Sequence, residues 1–287
     1  MASSPVASPR TLRMTTQAAA AAAVLLVAAC GGTEDSTADA PATVDTPGLK
    51  EPEAESPEES SWSYEGETGP ANWAELEADY ATCAAGERQS PVDLPAPADA
   101  AQGEAAVVTY DYQPAAYEVV DTGHTIQADA GSSAGGITVA GEDYELLQFH
   151  AHAPSEHAFA GERTDLEVHL VHQNAAGELA VVGVLVEEGE SSSALAEAWA
   201  DLPTGEQTVS VADFDAGTLL PEDRTTYQYE GSLTTPPCTE GVQWLVMQET
   251  ATAPAEVITG FEEAVGESAR PLQPLNEREP VLGQPAG

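Results

Sequence analysis

The chain is nearly empty of positive charge. Eight lysines and arginines stand against 49 aspartates and glutamates, for a net charge of −41, and Lys50 is the single lysine. A surface of that sign repels phosphate backbones and anionic headgroups, which excludes nucleic acid and acidic lipid surfaces as partners. It also repels itself, and external salt screens that repulsion. Most of these carboxylates therefore read as solvated surface, suited to a saline medium. Long apolar runs are also missing. The one run, Ala18 to Ala29, is too short for a permanent membrane span. Cysteine is scarce, with three residues, and histidine is scarce, with six. The chain has no internal repeat.

The apolar run is expected to be a leader. Arg10 and Arg13 precede it, and it ends in Val27-Ala28-Ala29-Cys30-Gly31. Small residues before a cysteine are similar to a bacterial lipoprotein processing site, so residues 1–29 are read as a signal peptide and Cys30 as a lipidated N-terminus. Two or three acyl chains anchor stably where one is marginal. Residues 31–60 are Thr, Ser, Pro, Ala and acid, a composition for a disordered tether. Contact with a membrane is expected through the lipid alone. A single domain follows over 61–284, with a short tail at 285–287. Once Cys30 is set aside, Cys83 and Cys238 remain. An exported domain makes a bridge between them the default, against two buried thiols.

Within the domain, strand-like alternation recurs from Ala106 to Glu249, punctuated by Gly, Pro, Asn and Asp. Asn174-Ala-Ala-Gly177 reads as a hairpin turn. Helical character is confined to Ser191 to Leu202, Val211 to Gly217 and Ala255 to Val265. The pattern predicts a mainly β (α+β) fold, with a large antiparallel sheet and short peripheral helices.

Gln148-Phe149-His150-Ala151-His152 is the most informative stretch. Side chains alternate along a strand, so His150 and His152 share a face. Glu167-Val168-His169 lies on a second predicted strand, and pairing of the two brings His169 to the others. Three imidazoles leave one tetrahedral position open, which is the pattern of a catalytic zinc and not a structural one.

Six motifs then resemble, in order, those of the alpha-class carbonic anhydrases. They are Gly86-Glu-Arg-Gln-Ser-Pro-Val-Asp-Leu94, Gly123-His-Thr-Ile-Gln127, Leu147-Gln-Phe-His-Ala-His152, Pro154-Ser-Glu-His157, Glu167-Val-His-Leu-Val-His172 and Gly231-Ser-Leu-Thr-Thr-Pro-Pro237. The resemblance covers roughly Trp62 to Val281. It implies a twisted, mostly antiparallel sheet of about ten strands and reversible hydration of carbon dioxide to bicarbonate. It implies zinc on His150, His152 and His169, with Gln148 and Glu167 holding ligand N–H groups. Thr234 matches the residue that orients the attacking hydroxide, Glu156 the carboxylate that takes the threonine's proton, and His124 the proton shuttle. Tyr64 and Gln127 match positions along the water path. Val171, Val181, Leu233, Thr235 and Trp244 match the substrate wall, and Cys83 and Cys238 the disulfide of exported members. Thr122 and Gln127 depart from the asparagines common near the shuttle, which bears on proton transfer and not on hydration.

The chemistry suits these residue types. Carbon dioxide is apolar and weakly electrophilic, so it needs an apolar shelf beside a strong nucleophile. Other readings explain less. A non-catalytic member of the fold is expected to have lost a ligand, and none is lost here. A zinc-capture lipoprotein is expected to carry histidines in its tether, and residues 31–60 have none. An unrelated His-x-His enzyme leaves the Gly-Ser-Leu-Thr-Thr-Pro-Pro run without a reason. His157 and His172 fall at structural positions of the family and are not counted as ligands.

Overall fold

The computed structural model describes residues 61–284 apart from 102 and 190–192. The leader, Cys30, the tether and the tail lie outside the described residues. The apolar alternation becomes strands β1 (Asp93–Leu94), β2 (Val108–Tyr112), β3 (Ala115–Asp121), β4 (Ile126–Ala130), β5 (Gly135–Val139), β6 (Glu142–His152) and β7 (Ala158–Phe159). They continue as β8 (Leu166–Asn174), β9 (Leu179–Glu188), β10 (Thr208–Phe214), β11 (Thr226–Ser232), β12 (Glu240–Met247), β13 (Ala251–Ala253) and β14 (Val281–Gly283). Helices are short: α1 (Trp73–Leu76), α2 (Thr82–Ala85), α3 (Ser193–Ala198) and α4 (Ala255–Val265). None of the described helices is long and apolar enough to cross a membrane.

Twelve strands form one sheet, two more than the resemblance implies. Its order is β10-β3-β4-β6-β8-β9-β12-β11-β14, with β5 also on β6, β2 on β5 and β13 on β9. β13 and β14 are three-residue additions. Pairing is antiparallel except for β12 and β13, which run parallel to β9. The predicted turn closes β8 to β9, with the Asn174 Oδ1 accepting the amides of Ala176 and Glu178 at 3.0 and 2.8 Å.

One helical expectation fails. Val211 to Gly217 is not a helix: Val211 to Phe214 ends β10, and a 3-10 turn follows at Ala216–Leu219. Pairing of β10 with β3 decides this, because tertiary pairing overrides a local preference. The ladder breaks between Val211 and Phe214, where Asp213 takes a φ of 62°.

The sheet has two differently furnished faces. Phe149, Val168, Leu170, Val182 and Leu245 belong to the larger apolar core on one side. Val171, Val181, Leu233 and Trp244 belong to a second cluster on the other. A bulge in β6 allows this division. The β6–β8 register shifts between Leu146 and Gln148, so one extra residue swaps the faces of the strand. Tyr144 and Leu146 point into the larger core before the bulge, and Phe149 and Ala151 after it. Gln148, His150 and His152 are thereby turned to the opposite face.

Candidate metal centre

His150 and His169 are direct partners across the β6–β8 ladder. One ring nitrogen of each of His150, His152 and His169 lies within 4.8 Å of the others. The remaining nitrogens are all engaged. His150 Nδ1 donates to Gln148 Oε1 at 2.8 Å, His152 Nδ1 to the Ser268 carbonyl at 2.6 Å, and His169 Nε2 to Glu167 Oε1 at 3.0 Å. This leaves His150 Nε2, His152 Nε2 and His169 Nδ1 as lone pairs facing one point. The buried His152 Nε2 has no hydrogen-bond partner. A buried acceptor without a donor is costly, and a cation satisfies it. Burial first, then the neighbouring imidazoles, hold His150 well below the usual histidine range, and burial lowers His152. Those two rings are thus neutral at neutral pH, the state a metal requires.

Glu167 is the hub beneath this cluster. Its Oε1 also takes His157 Nδ1–H at 2.7 Å, and its Oε2 takes the amides of Glu156 and His157 at 2.9 and 2.7 Å. Burial pushes its carboxyl up, but His157 and His169 win and hold it well below the usual carboxylate range. A second group of ligand-type atoms, His157, Glu167 and His169, is accounted for by these hydrogen bonds. His172 is remote from both. It sits on the other face, bonded to the Tyr112 hydroxyl at 2.9 Å and the Ala180 carbonyl at 3.1 Å.

Gly183, opposite His169 on β9, makes room for the hub. A Cβ there would lie 2.9 Å from Glu167 Oε1. The four hydrogen bonds on its carboxylate, two of them on that oxygen, prevent it from giving way cheaply. Gly183→Ala is therefore expected to displace the carboxylate and weaken zinc affinity by about 10–100-fold, the usual cost of losing a ligand's supporting partner. Chelator competition measures it.

The cluster lies in a cavity of about 210 Å³, walled by Val171, Val181, Leu233 and Trp244 on one side and by Trp62, Tyr64, His124 and Gln127 on another. That is below the roughly 300–1,000 Å³ of drug-sized pockets and suits a very small substrate. Thr234 and Thr235 line it too, in the loop that follows β11. That loop is pinned by the Cys83–Cys238 disulfide, which is formed, and by a bond from Cys238 N to the Thr235 carbonyl. Glu156 is fully buried. Its Oε1 accepts the Arg270 amide at 2.8 Å, and its Oε2 has no partner and lies 3.6 Å from His152 Nε2. No hydrogen bond joins Thr234 to Glu156 among the described residues.

His124 half-emerges at the mouth, its ring 3.6 Å from that of Trp62 and 6.4 Å from that of Tyr64. Burial lowers its pKa to about 4, His152 adds to this, and Asp121 opposes it. Gln127 lines the cavity, but its amide nitrogen is drawn to Asp129 at 2.7 Å. Sequence reasoning missed Ser268, which acts through a carbonyl and so leaves no trace in side-chain type. It also missed Gly183, Arg270 and Trp62. Trp62 could have been suspected as one of four tryptophans, placed just ahead of Tyr64.

Comparison with known proteins accords with this geometry. A family model described as eukaryotic-type carbonic anhydrase matches residues 68–281. A carbonic anhydrase of Klebsiella pneumoniae is 40% identical over 223 residues, spanning 76% of this chain and 89% of that one. The structure of an alpha-carbonic anhydrase from Thermovibrio ammonificans, in complex with the inhibitor sulfanilamide, aligns with a TM-score of 0.74 at 39% identity. It covers 77% of this chain and 98% of that one. The alpha-carbonic anhydrase of Photobacterium profundum gives 0.71 at 42% identity, over 77% and 99%.

Proposed function

This chain belongs to the eukaryotic-type, or alpha-class, carbonic anhydrase family and hydrates carbon dioxide, and from that premise we propose that His150, His152 and His169 hold its zinc. The observation that carries the assignment is the unpartnered, buried Nε2 of His152 beside two imidazoles whose other nitrogens are already taken. Zinc on three neutral imidazoles supplies a Lewis acid that lowers the pKa of water to about 7, carbonic anhydrase being the standard illustration of that effect.

The remaining steps belong to the protein. Val171, Val181, Leu233 and Trp244 shelve carbon dioxide without competing for hydrogen bonds. Thr234 accepts a hydrogen bond from the nucleophile and so aims its lone pair at carbon. Its own hydroxyl is to donate a hydrogen bond to Glu156 Oε2, an oxygen that has no partner in this structure. Glu156 enforces the direction because an ionised carboxylate can only accept. The Thr234 amide faces the substrate oxygen, and Thr235 closes the same wall. Tyr64 and Gln127 flank the waters that lead to His124.

His124 receives the proton and gives it to buffer. Packed against Trp62 at a pKa of about 4, it is a weak acceptor. Taking a proton from a group of pKa near 7 costs about 4 kcal/mol there, whereas a solvated ring near 6.5 takes it almost for nothing. His124→Ala is expected to lower kcat by about 10–100-fold in weak buffer, within the range of positioned acid–base groups. The ratio kcat/KM should hold, and imidazole should restore kcat. Stopped-flow hydration with zinc assayed on the same sample tests the whole reading. A folded protein with one zinc and no hydration would refute it.

The same reading extends to location. We infer that residues 1–29 are a leader, that Cys30 is lipidated, and that the enzyme sits on the extracytoplasmic face of a membrane at the end of its acidic tether. The formed disulfide supports export, since such bonds persist in oxidising compartments. Metabolic labelling with a fatty acid, lost in Cys30→Ala, tests the anchor.

A further inference from the structure

His124 sits in the turn between β3 and β4, flanked by Asp121 and Ile126, which pair in register. Thr122 closes the turn from within. Its hydroxyl donates to the Thr125 carbonyl at 3.0 Å and accepts the Thr125 amide at 3.1 Å. Asp121 fastens it from outside. Its Oδ1 accepts the amide of Gly123 at 2.8 Å, and Gly123 takes a left-handed φ of 80°. Its Oδ2 accepts the amide of Gly205 at 3.1 Å, from the loop that leads into β10. With both oxygens engaged, the carboxylate is held where it is.

Among the described residues, Trp62 and Tyr64 from the N-terminal segment lie against the His124 ring, and Asp121 acts on it from its own turn. Trp62 is uncharged, and a phenol is uncharged at neutral pH. Asp121 favours a proton on the ring, and burial disfavours one. We propose that Asp121 is the positioning residue of proton transfer: its carboxylate fixes the turn that presents His124 and holds a negative charge beside the imidazole. The proposal rests on the reading of His124 as the shuttle. A neutral residue at position 121 would remove a charge that favours a proton on the ring against burial.

The test uses the zinc-loaded full chain. Asp121→Asn keeps an oxygen for the Gly123 amide and removes the charge. NMR of the His124 ring against pH is expected to show a titration lowered by about half to one unit. In weak buffer at pH 7, kcat should fall about threefold to tenfold while kcat/KM stays within twofold, a split that a merely structural defect would not give. Asp121→Glu, which keeps the charge, should recover part of the loss. Asp121→Ser is a second charge-free variant and should repeat the lowered titration. An unchanged His124 titration in both charge-free variants overturns the proposal. A lowered titration with unchanged kcat overturns it too. His124→Ala then gives the reason: an unchanged kcat there as well means that His124 carries no proton, a failure of the shuttle reading and not of the coupling to Asp121.

Discussion

His169→Ala abolishes zinc binding and hydration together. His169 is fully buried and supplies the nitrogen contributed by β8, while His150 and His152 both come from β6. Removing it leaves two ligands on one strand and breaks the tie between strands. A four-ligand zinc site is worth about 10–16 kcal/mol, so one ligand carries about 3–4 kcal/mol, or roughly a hundred- to a thousandfold in affinity. A second loss follows from the hub. Glu167 Oε1 keeps only its His157 partner, and the buried carboxylate loses one of its four hydrogen bonds. Zinc content by metal analysis and hydration by stopped flow check the result on one sample. Retention of one zinc with normal turnover would show that the three imidazoles are not the metal site.

The strands that build the site were legible because their alternation is strong. Alternation read over Glu142 to His152 coincides with β6, and that read over Leu166 to Gln173 and Leu179 to Glu187 falls one residue short of β8 and β9. His150 and His152 could be read from spacing, since an i, i+2 pair must share a strand face, whereas His169 also needed the pairing of two strands, and His157 and His172 were set aside on the resemblance. Three things were not legible. The bulge before Gln148 breaks the alternation by one residue, and Leu146-Leu147 gives no sign of which leucine is extra. The β10 edge strand was hidden by a helical-looking run because its partner, β3, lies some ninety residues earlier. Ser268 and Arg270 act through backbone groups more than a hundred residues from the side chains they hold. Pairwise contacts of that separation are set by the sheet, and no local residue type announces them. The turn of His124 lies between these cases. Its glycine and threonine were visible, and the inward lean of its ring onto Trp62 was not.

Removing the Cys83–Cys238 bridge destabilises the domain and disorganises the catalytic side of the cavity while leaving zinc in place. The bridge spans 155 residues. Chain entropy alone assigns such a closure about 5 kcal/mol, and native bridges lost from domains cost about 2–5 kcal/mol. For a domain of this size that is a fall in melting temperature of about 10 °C. The catalytic effect has two routes. Cys238 ends the Thr234 to Cys238 loop and is fully buried, so an unbridged loop loses its anchor next to the group that aims the nucleophile. The Cys83 carbonyl accepts Arg270 Nη2–H at 3.0 Å, and the Arg270 amide holds Glu156, so loosening at Cys83 reaches the carboxylate as well. Thr234 and Glu156 therefore lose support together, whereas none of the hydrogen bonds that orient His150, His152 and His169 runs through either cysteine. The expected signature of the Cys83→Ser, Cys238→Ser double variant is a lower melting temperature, full zinc and a reduced kcat/KM. That pattern separates it from His169→Ala, where zinc and activity go together. An unchanged melting temperature would mean that the sheet, and not the bridge, carries the loop. Lost zinc would mean that the support of the ligands reaches further along the N-terminal segment than their hydrogen bonds do.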